Sequence, residues 1–551
     1  MTKKHPIYFL AFLVTMALLA SPAKAQHAHD HNEPPQDIES VGTYAPGHPK
    51  SLGPGIYHNA SRSGLSNALK HIGLGRWISL ERKINDFLLT SADASALNND
   101  IEKQDTNNLF TLRLNALLKR GLNNEAFALY TQISDIEDHE KLVRLGVYSM
   151  LFNQEKALAC LEVKARFTDF ENIALWQELN GYCSHTLSMK DETSENIQIS
   201  SNIVKSIIAS PDYTFEYTPQ TFASLKFLEK AILTAEDRIT ISTATSDMTF
   251  PPRDIQPLLQ QTRINIRNKT LLSLHAAKGA ITPPDDITEK YEALHTHYKD
   301  KNAAPKNTLA KLSLLQAHAD ATWSDKKRKQ TLEKAFTLSP QYGAASLIPF
   351  VPTFEKANVG EEISITNMHE ALNTFLYAGK PVPKKWIKEL QKLSEKEEEQ
   401  KTKEDLQKFL FLAILLSDTP LEKDFSFKDY DLSAYFSSGS YTADLKNIIE
   451  NIDSQQNNGD KLRYVYNSGF DLLNNNGYKM PSFVLINALE QSSRNQDIGA
   501  TLLLSSLILS NIAPNELYSG TLSDVIVAMN KIGFKDVSYR ILAQAVLERD
   551  N

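Results

Sequence analysis

Residues 107–134 read NNLFTLRLNALLKRGLNNEAFALYTQIS, and the spacing of their apolar side chains decides the fold class. Phe110, Leu114, Leu117 and Leu118 fall at i, i+4, i+7 and i+8, which is one face of an α-helix. Gly121 and the pair Asn123–Asn124 break the pattern, and Ala126, Leu129, Tyr130 and Ile133 resume it. Two amphipathic helices joined by so short a break predict an antiparallel helical hairpin. A shift of 31 residues reproduces the unit, setting Arg113 on Arg144, Leu114 on Leu145, Ala126 on Ala157 and Ala128 on Ala159. A third copy begins at Leu175 and Trp176, so the periodic block extends from Asn107 to Leu187.

Hairpins repeated near this period resemble tetratricopeptide-type repeats. The resemblance implies an all-α fold in which each hairpin leaves an apolar face for its neighbour to cover, giving a curved α-solenoid. A non-repeating helical bundle is the alternative, because the period blurs after Ser188.

Working outward, Thr308–Ala321 and Ser324–Leu338 form another helical pair, with Ser324 in the N-cap position. Pro349 to Phe354 interrupts the pattern, and Trp386 to Phe411 reads as one highly charged helix around KELQKLSEKEEEQKTKEDLQKF. Such a run is a solvated face held by side-chain pairs four apart. A polar interval from Asp418 to Asp460 carries Phe425, Phe427, Tyr430 and Tyr435 as packing anchors. A last helical region then continues to Asn551, strongest over Leu502–Leu509 and Ile541–Leu547.

At the other end, Lys3 and Lys4 precede an apolar run of 14 residues, Ile7 to Ala20, and the small-residue site Ala23–Lys24–Ala25. This is the pattern of a secretory signal peptide cut after Ala25, and its apolar run is too short for a bilayer span of about 20 residues. No later stretch is long and apolar enough to cross a membrane, so a periplasmic location with no integral span is expected. Gln26 to about Gly75 is rich in His, Pro, Gly, Ser and Asn without apolar period, and reads as an exposed, disordered leader. The expected organisation is a signal peptide (1–25), a leader (26–75), a helical-hairpin array (76–354), a helical continuation with the charged helix (355–417) and a C-terminal helical region (418–551).

The elements GRWISLERKINDFLL (75–89), LRLNALLKRG (112–121), VYSMLFNQEKALACLEV (147–163), ALWQELNGYC (174–183) and SDVIVAMNKIGFKDVSYRILAQAVLE (523–548) resemble an uncharacterised alphaproteobacterial family of exported helical proteins. Its members are sometimes labelled antifreeze polyproteins. The resemblance implies a Gram-negative envelope location and an α-solenoid, and it carries over no active-site residue.

Charge and chemistry narrow the function. The signal segment contains Lys3, Lys4 and Lys24 and no acid, so without it the 59 basic residues become 56 against 66 acidic ones, a net charge of −10. That balance argues against nucleic acid as a partner. Cys160 and Cys183 fall on what should be neighbouring helices, which makes them a candidate disulfide in an oxidising compartment. His27, His29 and His31 are candidate metal ligands, weakened by lying on a terminus without supporting groups.

His139–Glu140 and His369–Glu370 begin a zinc-protease pattern, but Val143 and Asn373 stand where the second histidine is required. Ser324 and Lys327 have the serine-x-x-lysine spacing of penicillin-binding enzymes without the companion motifs. No nucleophile elbow, phosphate loop or dinucleotide fingerprint occurs, and no cofactor or catalytic residue is assigned. The expectation is an envelope scaffold that binds protein partners. Two alternatives remain: an enzyme with a superhelical arm, of the kind seen in lytic transglycosylases, and a metal-handling protein using the histidine leader.

Overall fold

The computed structural model describes residues 37–104, 106–133, 139–153, 155–188, 252–260, 265–300, 307–321, 324–418, 481–510 and 512–549. The hairpin pattern is realised as α-helices packed in sequence order. α1 (Arg62–His71) and α2 (Ile78–Leu89) precede α3 (Leu109–Lys119) and α4 (Asn123–Tyr130). α5 (Glu140–Phe152), α6 (Lys156–Phe170) and α7 (Ala174–Ser188) then each pack on the helix before. α8 (Pro252–Gln260) lies against α4, and α9 (Ile266–Ala277), α10 (Pro284–Asp300), α11 (Thr308–Ala321) and α12 (Asp325–Leu338) continue the sequential pairing. α13 (Val351–Lys356), α14 (Met368–Ala378), α15 (Lys384–Lys396) and α16 (Gln400–Leu415) follow, then α17 (Phe483–Arg494), α18 (Ile498–Leu509), α19 (Ser519–Lys531) and α20 (Lys535–Arg549). Among the described residues there is no sheet, only isolated bridges such as Tyr44 with Thr90.

Local chemistry explains where the helices start. Asn108 accepts a hydrogen bond from the Thr111 amide at 3.0 Å, Asn265 from Asn268 at 2.9 Å, and Asp497 from Ala500 at 2.9 Å. Each satisfies one of the orphan donors of a first turn. Leu114, Leu117 and Leu118 are fully buried, as their shared face requires. Gly146 on α5 lets the Tyr130 ring of α4 approach so closely that a Cβ would overlap it.

The series does not stay open at its ends. α1 packs on α18, while α2 touches α3, α14, α18 and α20. Trp77 donates its indole N–H to the Ile512 carbonyl at 3.2 Å. Gln544 of α20 accepts from the Ile78 amide at 3.1 Å and donates to the Arg76 carbonyl at 2.8 Å, joining the two ends of the chain at the first turn of α2.

Buried arginines complete the frame. Arg113 is fully buried and donates to the carbonyls of Leu88 at 2.8 Å, Thr90 at 2.9 Å and Val41 at 2.9 Å. Arg120, also fully buried, donates to the Gly73 carbonyl at 2.6 Å and to Asn85 Oδ1 at 2.8 Å, and pairs with Glu81 at 2.7 Å. Glu39 accepts both Nη groups of Arg62 at 2.7 and 2.8 Å and the Leu109 amide at 2.7 Å, so its carboxylate sits at the N-terminal end of α3.

Three expectations are corrected. The leader expected to run to Gly75 is folded from Ile38 onward: Glu39, Ile56, Tyr57, Leu65 and Leu69 are fully buried, and Arg62–His71 is helix. Leu65, Ala68, Leu69 and Ile72 supply one short buried stripe, and the rest of the segment is held by backbone pairing, Tyr44 N to Leu89 O at 2.8 Å and Asn98 N to Ala60 O at 2.9 Å, and by the arginines, so the Gly-, Pro- and Ser-rich composition hides it. The single charged helix is two antiparallel helices, α15 and α16, broken where Glu397 turns its carboxylate onto the amides of Glu398 and Glu399. Along the 31-residue shift Leu114 and Leu145 are both buried, as are Leu129 and Cys160, but the rest of the second helix does not follow, since Ala126 is buried and Ala157 exposed. α6 has 15 residues against 8 in α4, so a fixed register cannot keep the same face inward.

Cys160 of α6 and Cys183 of α7 form a disulfide, with Cα atoms 5.0 Å apart. Replacing both by Ala should lower the unfolding free energy by about 3 kcal/mol on the chain-entropy model. The variant's melting temperature should then no longer respond to reductant, whereas the wild-type value should fall. Arg120→Ala leaves Glu81 buried beside unpaired carbonyls and should cost about 3–5 kcal/mol in urea denaturation. The exposed Lys329→Ala should stay within about 0.5 kcal/mol of wild type.

Candidate functional site

α6 carries apolar side chains on two opposite faces. Ala159, Cys160, Val163 and Phe170 are buried against α5 and α7, while Leu158 and Leu161 stand 44% and 57% exposed one turn apart. Ile173, in the turn to α7, is 39% exposed. Leucines left on the solvent side of a helix whose other face is already packed mark a contact surface more often than a lone exposed leucine does. The hairpin that presents it is rigidly built: the disulfide joins α6 to α7, and the Phe170 ring packs on Trp176 at 4.8 Å between centroids. Trp176 in turn donates to Glu140 Oε1 of α5 at 3.0 Å.

Ser324, Glu140 and His369 each make a contact that holds helices in place. Ser324 caps α12, its Oγ accepting from the Lys327 amide at 3.4 Å. Glu140, besides receiving Trp176, lies 3.6 Å from Arg144. His369 Nε2 is 2.9 Å from the Leu547 carbonyl, tying α14 to α20, and burial lowers its pKa. Burial likewise raises the pKa of Glu370 beside it. His27, His29 and His31 lie outside the described residues. Among the described residues no group of three His, Cys, Asp or Glu converges in metal-binding geometry, and no helix is long and apolar enough to cross a membrane.

Two further features lacked a sequence signal. A cleft of about 330 Å³ is lined by Glu355, Pro381, Val382, Pro383, Lys384 and Asp418. It draws residues from three separate segments, which no local motif can announce. The second is an acidic pair on the C-terminal helices: Asp524 of α19 lies near Glu490 of α17, which pairs with Arg494. Burial pushes the Asp524 carboxyl up to about 7, Glu490 adds to the shift and Lys531 opposes it.

The sign of the resulting pH effect follows from linkage. A carboxyl whose folded pKa lies above its ordinary value stabilises the fold most when protonated, and that contribution is lost as pH rises from about 4 through about 7. Asp524→Asn should therefore match wild type near pH 4. At pH 8 it should be more stable by about 1–2 kcal/mol, after discounting for the group's partial exposure. Urea denaturation at the two pH values checks this.

No known family model, no curated protein and no solved structure is matched by this chain.

Proposed function

We propose that this is an exported envelope scaffold, a stack of helical hairpins of the α-solenoid type that binds a protein partner through the outer face of α6 and the α6–α7 turn. The observation that carries the reading is the disulfide-braced hairpin with Leu158, Leu161 and Ile173 turned to solvent. Leu158 and Leu161 near the start of α6 and Ile173 past its end offer apolar anchors on a rigid frame, and a few such contacts dominate the affinity of a protein interface. The sequential packing of helices supports a hairpin stack, and closure through α2 makes it stiffer than an open array in which each unit touches only its neighbours. The N-terminal signal pattern and the likeness to exported helical proteins support the location, and a disulfide suits an oxidising compartment.

The double variant Leu158→Asp, Leu161→Asp tests the reading. It should accumulate to normal levels with unchanged helix content, yet lose site-specific photo-crosslinks formed from position 165 in living cells and reproduce the deletion phenotype. Retained crosslinks and full function would overturn the choice of surface. An enzyme behaves differently, with one conservative substitution of an exposed Asp, Glu, Ser or His abolishing function in an abundant, folded protein. Release of soluble fragments from peptidoglycan by the pure protein would replace the scaffold reading with that of an envelope hydrolase.

A further inference from the structure

Among the described residues, Arg540 of α20 has a buried Nη1 with no hydrogen-bond partner. A buried donor left unmade is costly, and for a guanidinium the cost is larger still, so such a group calls for an explanation.

Its position is fixed by the register of two helices. Gln544 meets Ile78 at the start of α2, and the Lys83 ammonium lies 5.7 Å from the Phe534 ring, so α2 and α20 run antiparallel. One turn beyond Ile78 on α2 is Arg82, and one turn before Gln544 on α20 is Arg540. The two arginines therefore stand at the same level of one interface.

Arg82 spends its donors on the end of α14, Nη1 on the Leu376 carbonyl at 3.1 Å and Nη2 on that of Tyr377. Gly379, at φ +66°, leaves room for this: a Cβ there would lie 2.6 Å from Arg82 Nη1. These carbonyls hold the guanidinium but bring only partial charge to it. Burial first, and then the neighbouring Arg540, lower the Arg82 pKa to about 10.

Among the nearby acids, Asp86 favours the charged form of Arg82 but forms no ion pair with it, and none pairs with Arg540. Asp86, one turn further along α2, lies 3.9 Å from Lys83, and its carboxyl is pushed up to about 6 by burial. Asp536 and Asp418 favour the charged form of Arg540 from a distance, both being exposed, and neither forms an ion pair with it. Asp418 also lines the cleft that holds Lys384 on its rim, so the cleft and the arginine pair border the same residue.

We propose that Arg540, with the charge of Arg82 beside it, forms the binding site of a small oxyanion, a phosphate or carboxylate group that takes the unpartnered Nη1 of Arg540. Planar guanidinium matches either oxyanion with two parallel hydrogen bonds. A ligand held there touches α2 and α20 together and closes the junction between the chain's two ends, so its binding is read as stabilisation of the whole fold.

The test uses the mature chain at fixed pH and ionic strength, with inorganic phosphate, acetate or chloride as the only varied anion. Phosphate or acetate at 10-fold above its dissociation constant should raise the melting temperature by about 1–2 °C over chloride. Which of the two does so identifies the class, and phosphate binding should also broaden the phosphorus-31 resonance. Arg540→Met should abolish the anion-dependent shift without lowering the melting temperature in chloride, since it removes the uncompensated charge. Arg540→Lys, which keeps the charge and loses the fork, should weaken binding at least 10-fold. Equal melting temperatures of the wild type in all three anions would overturn the proposal. So would an anion-dependent shift that persists in Arg540→Met, and so would binding weak enough to mark an adventitious ion only.

Discussion

The structure depends on the enclosure of one short helix. α2 is surrounded by α3, α14, α18 and α20, which come from regions of the chain hundreds of residues apart. Ile78, Leu80, Ile84, Phe87 and Leu88 leave no surface to water, a degree of burial no single hairpin neighbour provides. Because the apolar faces of α2 must be covered, the C-terminal helices have to return to the N-terminal ones. Helices that otherwise follow each other in sequence are thereby closed into one cooperative unit.

Enclosure brings polar backbone with it, and the buried arginines answer that cost. α2 begins and ends in non-helical chain whose carbonyls at Gly73, Leu88 and Thr90 have no ladder to join. Arg113 and Arg120 reach them from α3, each satisfying several acceptors at once. A guanidinium does this better than any apolar residue of like size, since a carbonyl left bare in the interior is destabilising. The pair Glu39–Arg62 does the same for the start of α3. Polar groups that look like an active site in a list of buried charges are, for this half of the molecule, the mortar of the fold.

Among the described residues, the groups on which the functional readings rest lie elsewhere. Leu158, Leu161 and Ile173 face water on a braced hairpin, and Arg540 holds an unmade hydrogen bond at the α2–α20 junction. The first is a surface for contact with another molecule and the second a point where a ligand would bear on the stability of the whole. Neither resembles a catalytic pair, in which a nucleophile and base lie within hydrogen-bond reach of each other. Of the histidine–glutamate pairs, Glu140 ties α5 to α7 and His369 ties α14 to α20, while Glu370 keeps a buried carboxylate oxygen without a hydrogen-bond partner.

Helical class, the hairpin of Leu114 and Leu129, the cap at Ser324 and the partnership of Cys160 with Cys183 were legible in the sequence, because each rests on spacing within one or two neighbouring helices. The folding of residues 38–75 was not, since most of that segment is held by partners such as Arg113, Asn98 and Ala500-bearing α18, and its one apolar stripe, Leu65 to Ile72, is only two turns long. The break at Glu397 escaped notice for a related reason: Leu390 and Leu406 fit one charged helix as well as two, and only their burial on antiparallel neighbours separates the cases. Local periodicity decides which residues become helix. Which helices meet, which arginine loses its partner and which leucine is left facing water are decided by contacts between segments far apart in the chain, and those are set only when the tertiary fold closes.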